Sequence, residues 1–180
     1  MREKETPSDD FNGKHIIDVL SEATGRERVH RNWSLAPYTT FRIGGLADFF
    51  LEARTEKELV AVRKAANQLN IPVTMLGGGS NVLISDRGVR GLVVRARHGE
   101  ICCPTADSVR ASAGVTLNGL VRWMVRRGIS GIETWAGTPG TVGGAVAGNA
   151  HFGGRLLSER LRGVGLVEAD GHQVDVLVSE

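Results

Sequence analysis

Three consecutive glycines, Gly77-Gly78-Gly79, stand directly behind the apolar run Val73 to Leu76, and a second glycine-rich stretch, Gly137 to Gly144, recurs later in the chain. No strand or helix continues through such a run. Each glycine in an element interior forfeits roughly 0.5–1 kcal/mol against alanine. These stretches must be loops in which bare backbone approaches something closely. The chain has 24 glycines in 180 residues, seven of them in these two stretches and the rest scattered singly or in pairs rather than forming a low-complexity linker.

The residues between the loops alternate between strand and helix patterns. Lys14 to Ala23 places Ile16, Ile17 and Leu20 on one helical face. Ala47 to Ala53 reads as a strand. Residues 55–69 read as a helix capped by Thr55, with Glu58 three positions on as in a capping box and Pro72 beyond the end. Val73–Leu76, Val82–Ile84 and Leu92–Val94 read as strands, as does Ser108–Ala113. Leu117, Leu120, Val121, Met124 and Val125 form a helical stripe that stops at Gly128, a C-cap glycine. Val164–Glu168 and Gln173–Leu177 read as a hairpin around Asp170-Gly171. The class is therefore α+β or α/β. Residues 1–13 are expected to be disordered, 14–97 to form one lobe and 98–180 a second, with the break near residues 97–106.

Composition excludes several roles. The net charge is +2, and no basic stripe is interleaved with aromatics, so nucleic acid is not an expected partner. No apolar run reaches membrane-spanning length. The charged start, Met1 to Asp10, has no apolar core like that of an export signal, so a cytoplasmic location is expected. Cys102 and Cys103 are adjacent and five histidines are scattered, so no metal site is expected.

A glycine loop after a buried strand presents several N–H groups unobstructed by side chains, which suits it to phosphate. Leu76, Gly77, Gly78, Gly79, Ser80 and Asn81 form one candidate, in which Ser80 adds a hydroxyl. Gly137, Thr138, Pro139, Gly140, Thr141, Gly143 and Gly144 form the other, stiffened by Pro139. Two such loops suggest a pyrophosphate gripped from two sides, and hence a dinucleotide. Asn149 either bonds the same ligand or caps a turn. The Gly-x-Gly-x-x-Gly fingerprint, the P-loop and the Gly-x-Ser-x-Gly elbow are all absent.

Thr39-Thr40-Phe41-Arg42-Ile43-Gly44-Gly45, Leu76-Gly77-Gly78-Gly79-Ser80-Asn81-Val82-Leu83 and Gly137-Thr138-Pro139-Gly140-Thr141-Val142-Gly143-Gly144-Ala145 together resemble the UDP-N-acetylenolpyruvoylglucosamine reductase family over roughly residues 30–180. The resemblance implies a two-lobed FAD-binding fold of the vanillyl-alcohol oxidase (p-cresol methylhydroxylase) type, with FAD held non-covalently by the two glycine loops. It further implies a flavin-dependent reductase of peptidoglycan synthesis. Such an enzyme takes hydride from NADPH and converts the enolpyruvyl ether of UDP-N-acetylglucosamine to UDP-N-acetylmuramate.

The chain departs from the family at Thr138, where isoleucine is common, and at His151-Phe152-Gly153-Gly154, where Gly-Ala-Tyr-Gly is frequent. It stops at Glu180, before the Tyr-Arg-x-Ser segment that holds the family's catalytic arginine. No catalytic residue is therefore carried over. The expectation is a truncated second lobe that does not turn over substrate alone. A flavin-linked alcohol or hydroxy-acid oxidase of the same fold is the alternative, but many of those attach FAD through a histidine near the first loop, and residues 77–81 contain none.

Overall fold

The computed structural model describes residues 7–178. Helix α1 spans Pro7–Thr24 and leads through a 3-10 turn, Arg26–Arg28, into strand β1, His30–Ser34. A second 3-10 turn, Ala36–Tyr38, precedes β2, Leu46–Ala53. Helix α2, Glu56–Gln68, connects β2 to β3, Val73–Leu76, and the first glycine loop then leads to β4, Val89–Ala96. These strands form one mixed sheet in the order β1-β2-β4-β3. β4 lies parallel to both β2 and β3, while β1 is antiparallel to β2. The glycine loop thus leaves the carboxyl end of an edge strand.

Both faces of the sheet are covered. Phe49, Leu51, Ala53, Leu92 and Val94 pack against Ile16 and Leu20 of α1 and Val62, Ala65 and Ala66 of α2. Phe50, Leu76 and Val93 face the other way, beneath Leu35 and Tyr38. The α2 stripe meets the sheet as its spacing predicts. Thr55 Oγ1 accepts from Glu58 N at 3.1 Å. The Glu58 carboxylate reaches back one residue further than a standard capping box, accepting from Arg54 N at 2.7 Å. It also receives both Arg28 Nη atoms at 2.8 Å. Arg28 in turn donates to the backbone oxygens of Thr24 and Glu52, tying α1, β2 and α2 together.

Beyond β4 come β5, Ile101–Thr105, and β6, Ser108–Ala111, paired as a ribbon. Helix α3, Leu117–Val125, follows, then a 3-10 turn, Glu133–Trp135, and helix α4, Val142–Ala147. The short strands β7, His151–Phe152, and β8, Arg155–Leu156, form a small hairpin, and a 3-10 turn spans Leu157–Arg160. Strands β9, Gly163–Val167, and β10, Gln173–Leu177, form the expected hairpin. A separate core of Leu117, Val121, Trp135 and Leu157 holds this half together.

Three sequence expectations are corrected. Helix α1 begins at Pro7, so 7–13 is helical rather than disordered; the rest of that expectation falls on residues 1–6, outside the described residues. The start signals are in the sequence: proline at the first helical position, then Ser8, Asp9 and Asp10. Val82–Ile84 is not a strand. It lies against the 39–45 segment, where Gly45 N donates to Ser85 O at 2.9 Å and a Cβ on Gly44 would stand 3.0 Å from Ile84 Cβ. Val142–Gly144 is the first turn of α4 rather than loop, because Thr141 caps it by accepting from Gly144 N at 3.3 Å. Cys102 and Cys103 lie on β5, both exposed.

Candidate functional site

The two glycine loops touch. A Cβ on Gly77 would stand 2.6 Å from Thr141 Oγ1, and one on Gly78 would stand 2.9 Å from Gly140 Cα. Ser80 Oγ donates to Pro139 O at 3.4 Å and would lie 2.9 Å from a Cβ on Gly140. The interlock itself favours glycine here: a Cβ at Gly78 would crowd the backbone of the opposite loop.

The 39–45 segment supports the first loop from behind. Thr40 N donates to Gly79 O at 3.0 Å. Gly79 has φ of +68°, and a Cβ there would fall 1.8 Å from Tyr38 O. Thr39 Oγ1 donates to Ile43 O at 2.8 Å, which closes that segment on itself. Tyr38 and the Thr39–Thr40 backbone are parts of the site that residue chemistry alone did not single out. The signal available was the neighbouring Thr-Thr-Phe-Arg-Ile-Gly-Gly stretch.

The loops differ in what they offer a ligand. The amides of Gly77, Gly78, Gly79, Ser80 and Asn81 donate to no acceptor among the described residues. In the second loop, Gly137 N donates to Asn118 Oδ1, Thr138 N to Trp135 O, Gly143 N to Ala113 O and Gly144 N to Thr141 Oγ1. Pro139 has no N–H, so Gly140 and Thr141 supply the free amides there. The first loop is the donor surface, and the second is largely a wall set against it.

The other candidates fall on either side of this line. Leu76 is buried in the core beneath the sheet, so only its backbone adjoins the loop. The Thr138 hydroxyl is buried with no partner among the described residues. Asn149 adopts φ of +41°, and its Oδ1 accepts from Ser158 N at 3.0 Å, which ties it to the 3-10 turn at Leu157–Arg160. Arg42, with φ of +57°, is exposed and makes no ion pair among the described residues. Trp135 is fully buried, while Trp33 stacks on His30 at 4.1 Å and donates to Tyr38 Oη at 2.9 Å.

A cluster of free amides with no carboxylate on either loop can hold an anion by charge–dipole attraction and hydrogen bonds. The cradle fits a diphosphate-bearing cofactor in two respects: the donors are unspent, and glycine keeps the backbone bare where a ligand would approach.

Comparison with known proteins agrees with this geometry. The UDP-N-acetylenolpyruvoylglucosamine reductase of Solibacter usitatus is 45% identical over 136 residues, which cover 76% of this chain and 43% of that protein. The crystal structure of the enzyme of that name from Thermus caldophilus superposes with a TM-score of 0.67 at 30% identity, covering 83% of this chain and 52% of that one. p-Cresol methylhydroxylase, at 14% identity, matches with a TM-score of 0.67 over 97% of this chain and 36% of its own, a likeness of fold alone. The chain spans about half the length of the curated relatives it matches. The FAD binding domain family matches residues 47–177, a stretch that includes both glycine loops. With its α+β architecture and its interlocked glycine cradle, the chain belongs to the FAD binding domain family.

Proposed function

We propose that this chain binds FAD non-covalently through the amides of residues 77–81, with Gly140 and Thr141 closing the cradle. We propose further that it is the FAD-binding part of an NADPH-dependent reductase acting on UDP-N-acetylglucosamine enolpyruvate. The observation that carries the reading is the interlock of the two loops, with seven amides left unspent among the described residues. The FAD pyrophosphate would lie on those amides, and the isoalloxazine would supply hydride chemistry when bound. The chain's own contribution is binding and positioning. Its loops bring partial positive charge without a lysine or arginine, so the grip depends on geometry rather than on net charge.

The two-lobe division at 14–97 and 98–180 belongs to the same proposal, with the ligand at the seam where the loops meet. So do the UDP-sugar and NADPH as partners and a cytoplasmic location. The reductase is favoured over an oxidase of the same fold by identity. The Solibacter usitatus relative is 45% identical, whereas p-cresol methylhydroxylase is 14% identical.

The test is the visible spectrum of the purified chain, read before and after denaturation. Intact FAD released into solution, or saturable uptake of added FAD by colourless protein, is the expected result. A folded chain that neither carries nor takes up FAD would refute the assignment.

A further inference from the structure

Asn32 interrupts the alternation of β1. It takes φ of +50°, in the left-handed region that few residues other than glycine enter. In a regular strand His30 and Trp33, three positions apart, would point to opposite faces. Here their rings stack at 4.1 Å, and they lie 6.4 and 6.2 Å from the Phe50 ring. Trp33 Nε1 then donates to Tyr38 Oη at 2.9 Å. Tyr38 also packs on Phe50 at 4.7 Å, with the Arg95 guanidinium 5.1 Å from its ring centroid.

Tyr38 anchors the start of the 38–45 segment to the sheet. Thr40, Phe41, Arg42 and Ile43 are exposed, and Thr39 Oγ1 bonds to Ala36 O and Ile43 O, close by in the chain. Gly79 of the first glycine loop sits against this anchor. Tyr38 O occupies the place of its missing Cβ, and Thr40 N donates to Gly79 O at 3.0 Å. Across a trans peptide the C=O and the next N–H point in opposite directions. The hold of Thr40 on Gly79 O therefore turns Ser80 N–H away from the segment, and Ser80 N is one of the unspent amides.

Stacking alone would serve packing. The indole N–H on the chain's single tyrosine hydroxyl adds direction, and it fixes the ring whose backbone seats Gly79. We propose that Trp33 is a positioning residue of the cradle, acting through Tyr38 to hold Gly79 and Ser80 in the geometry that meets a diphosphate. The inference rests on the FAD reading of that cradle.

The experiment is a double-mutant cycle, with flavin fluorescence titration reading FAD affinity. Trp33→Phe removes the N–H and keeps a ring; Tyr38→Phe removes the hydroxyl and keeps its ring on Phe50. Each is expected to weaken FAD binding about three- to tenfold. The double variant should lose no more than either alone, because one hydrogen bond is absent in all three. Trp123→Phe on α3 controls for general destabilisation and should bind FAD as the wild type does. Unchanged affinity in either single variant, or losses that multiply in the double variant, would overturn the proposal. If the wild-type chain takes up no FAD, the FAD reading fails by itself, and the amide nitrogen–proton NMR spectrum of the free chain decides the positioning claim. Gly79 and Ser80 resonances that move in Tyr38→Phe would support it, and resonances at wild-type positions would overturn it.

Discussion

Gly78→Ala tests the interlock directly. Gly78 is not among the glycines with positive φ, so alanine is compatible with the backbone and the penalty comes from contact alone. The new Cβ would stand 2.9 Å from Gly140 Cα and 3.3 Å from Gly140 C, whereas ordinary contact begins at 3.4 Å. The opposing loop must therefore retreat by about 0.5 Å, the difference between 3.4 and 2.9 Å. Both near atoms are backbone, so no rotamer change relieves the clash. Overpacking of this kind costs roughly 1–3 kcal/mol. In the ligand-free chain the 140 loop relaxes outward and recovers part of that cost. With FAD in the cradle the loop is held in place and the strain appears as lost affinity. At about 1.4 kcal/mol per factor of ten, FAD binding should weaken roughly ten- to a hundredfold. Flavin fluorescence titration reads the affinity, and a circular dichroism melt reads the fold. Gly128→Ala is the control. Gly128 has φ of +69° with nothing within 4 Å, so alanine there adds backbone strain of about 1–2 kcal/mol and should leave FAD affinity unchanged. Wild-type affinity in Gly78→Ala, with only its melting temperature lowered, would show that the loops do not act as one cradle.

Other perturbations address the supporting structure. The Arg28 guanidinium, assisted by the Arg54 and Thr55 backbones, pulls the Glu58 carboxyl down to about 2. Its folded-state value lies below the unfolded one, so its stabilisation is complete above the ordinary carboxylate range and is lost as pH falls towards about 2. Glu58→Gln should cost roughly 1.5–3 kcal/mol at neutral pH and flatten the acid limb of a melting-temperature profile; an unchanged acid limb would show that other groups set it. Thr138→Val replaces a buried, unpartnered hydroxyl with a methyl. It should stabilise by about 1 kcal/mol, raise the melting temperature by a few degrees and leave FAD affinity as it was; a loss of affinity would mean that the hydroxyl turns to the ligand. Thr141→Val removes the cap on α4 and should cost about 1 kcal/mol. Because Thr141 Oγ1 also faces Gly77, this variant should lower FAD affinity as well as stability, and a melt without an affinity change would assign it to the cap alone.

Local signals in the sequence determined a good part of this protein. The α2 cap at Thr55, the apolar stripes of α2 and α3, and the β9–β10 hairpin follow from spacing and turn chemistry, which act over a few residues. The two glycine runs likewise marked where bare backbone is needed. Val82–Ile84 shows the limit: its composition suits a strand, but pairing needs a neighbour, and the 39–45 segment meets it mainly through side-chain packing and isolated hydrogen bonds. The second glycine run is split by a cap, so Gly143 and Gly144 spend their amides within the chain. Asn149 accepts from Ser158 N, a contact between residues nine apart that neither of its two sequence readings named. Which amides remain free, that Gly78 abuts Gly140, and that Tyr38 supports Gly79 all depend on residues far apart in the chain meeting within a few ångströms. Only the tertiary fold brings them together, because close packing of backbone on backbone is set by how the β3–β4 connection and the α4 cap are positioned against each other, not by the local preferences of either segment.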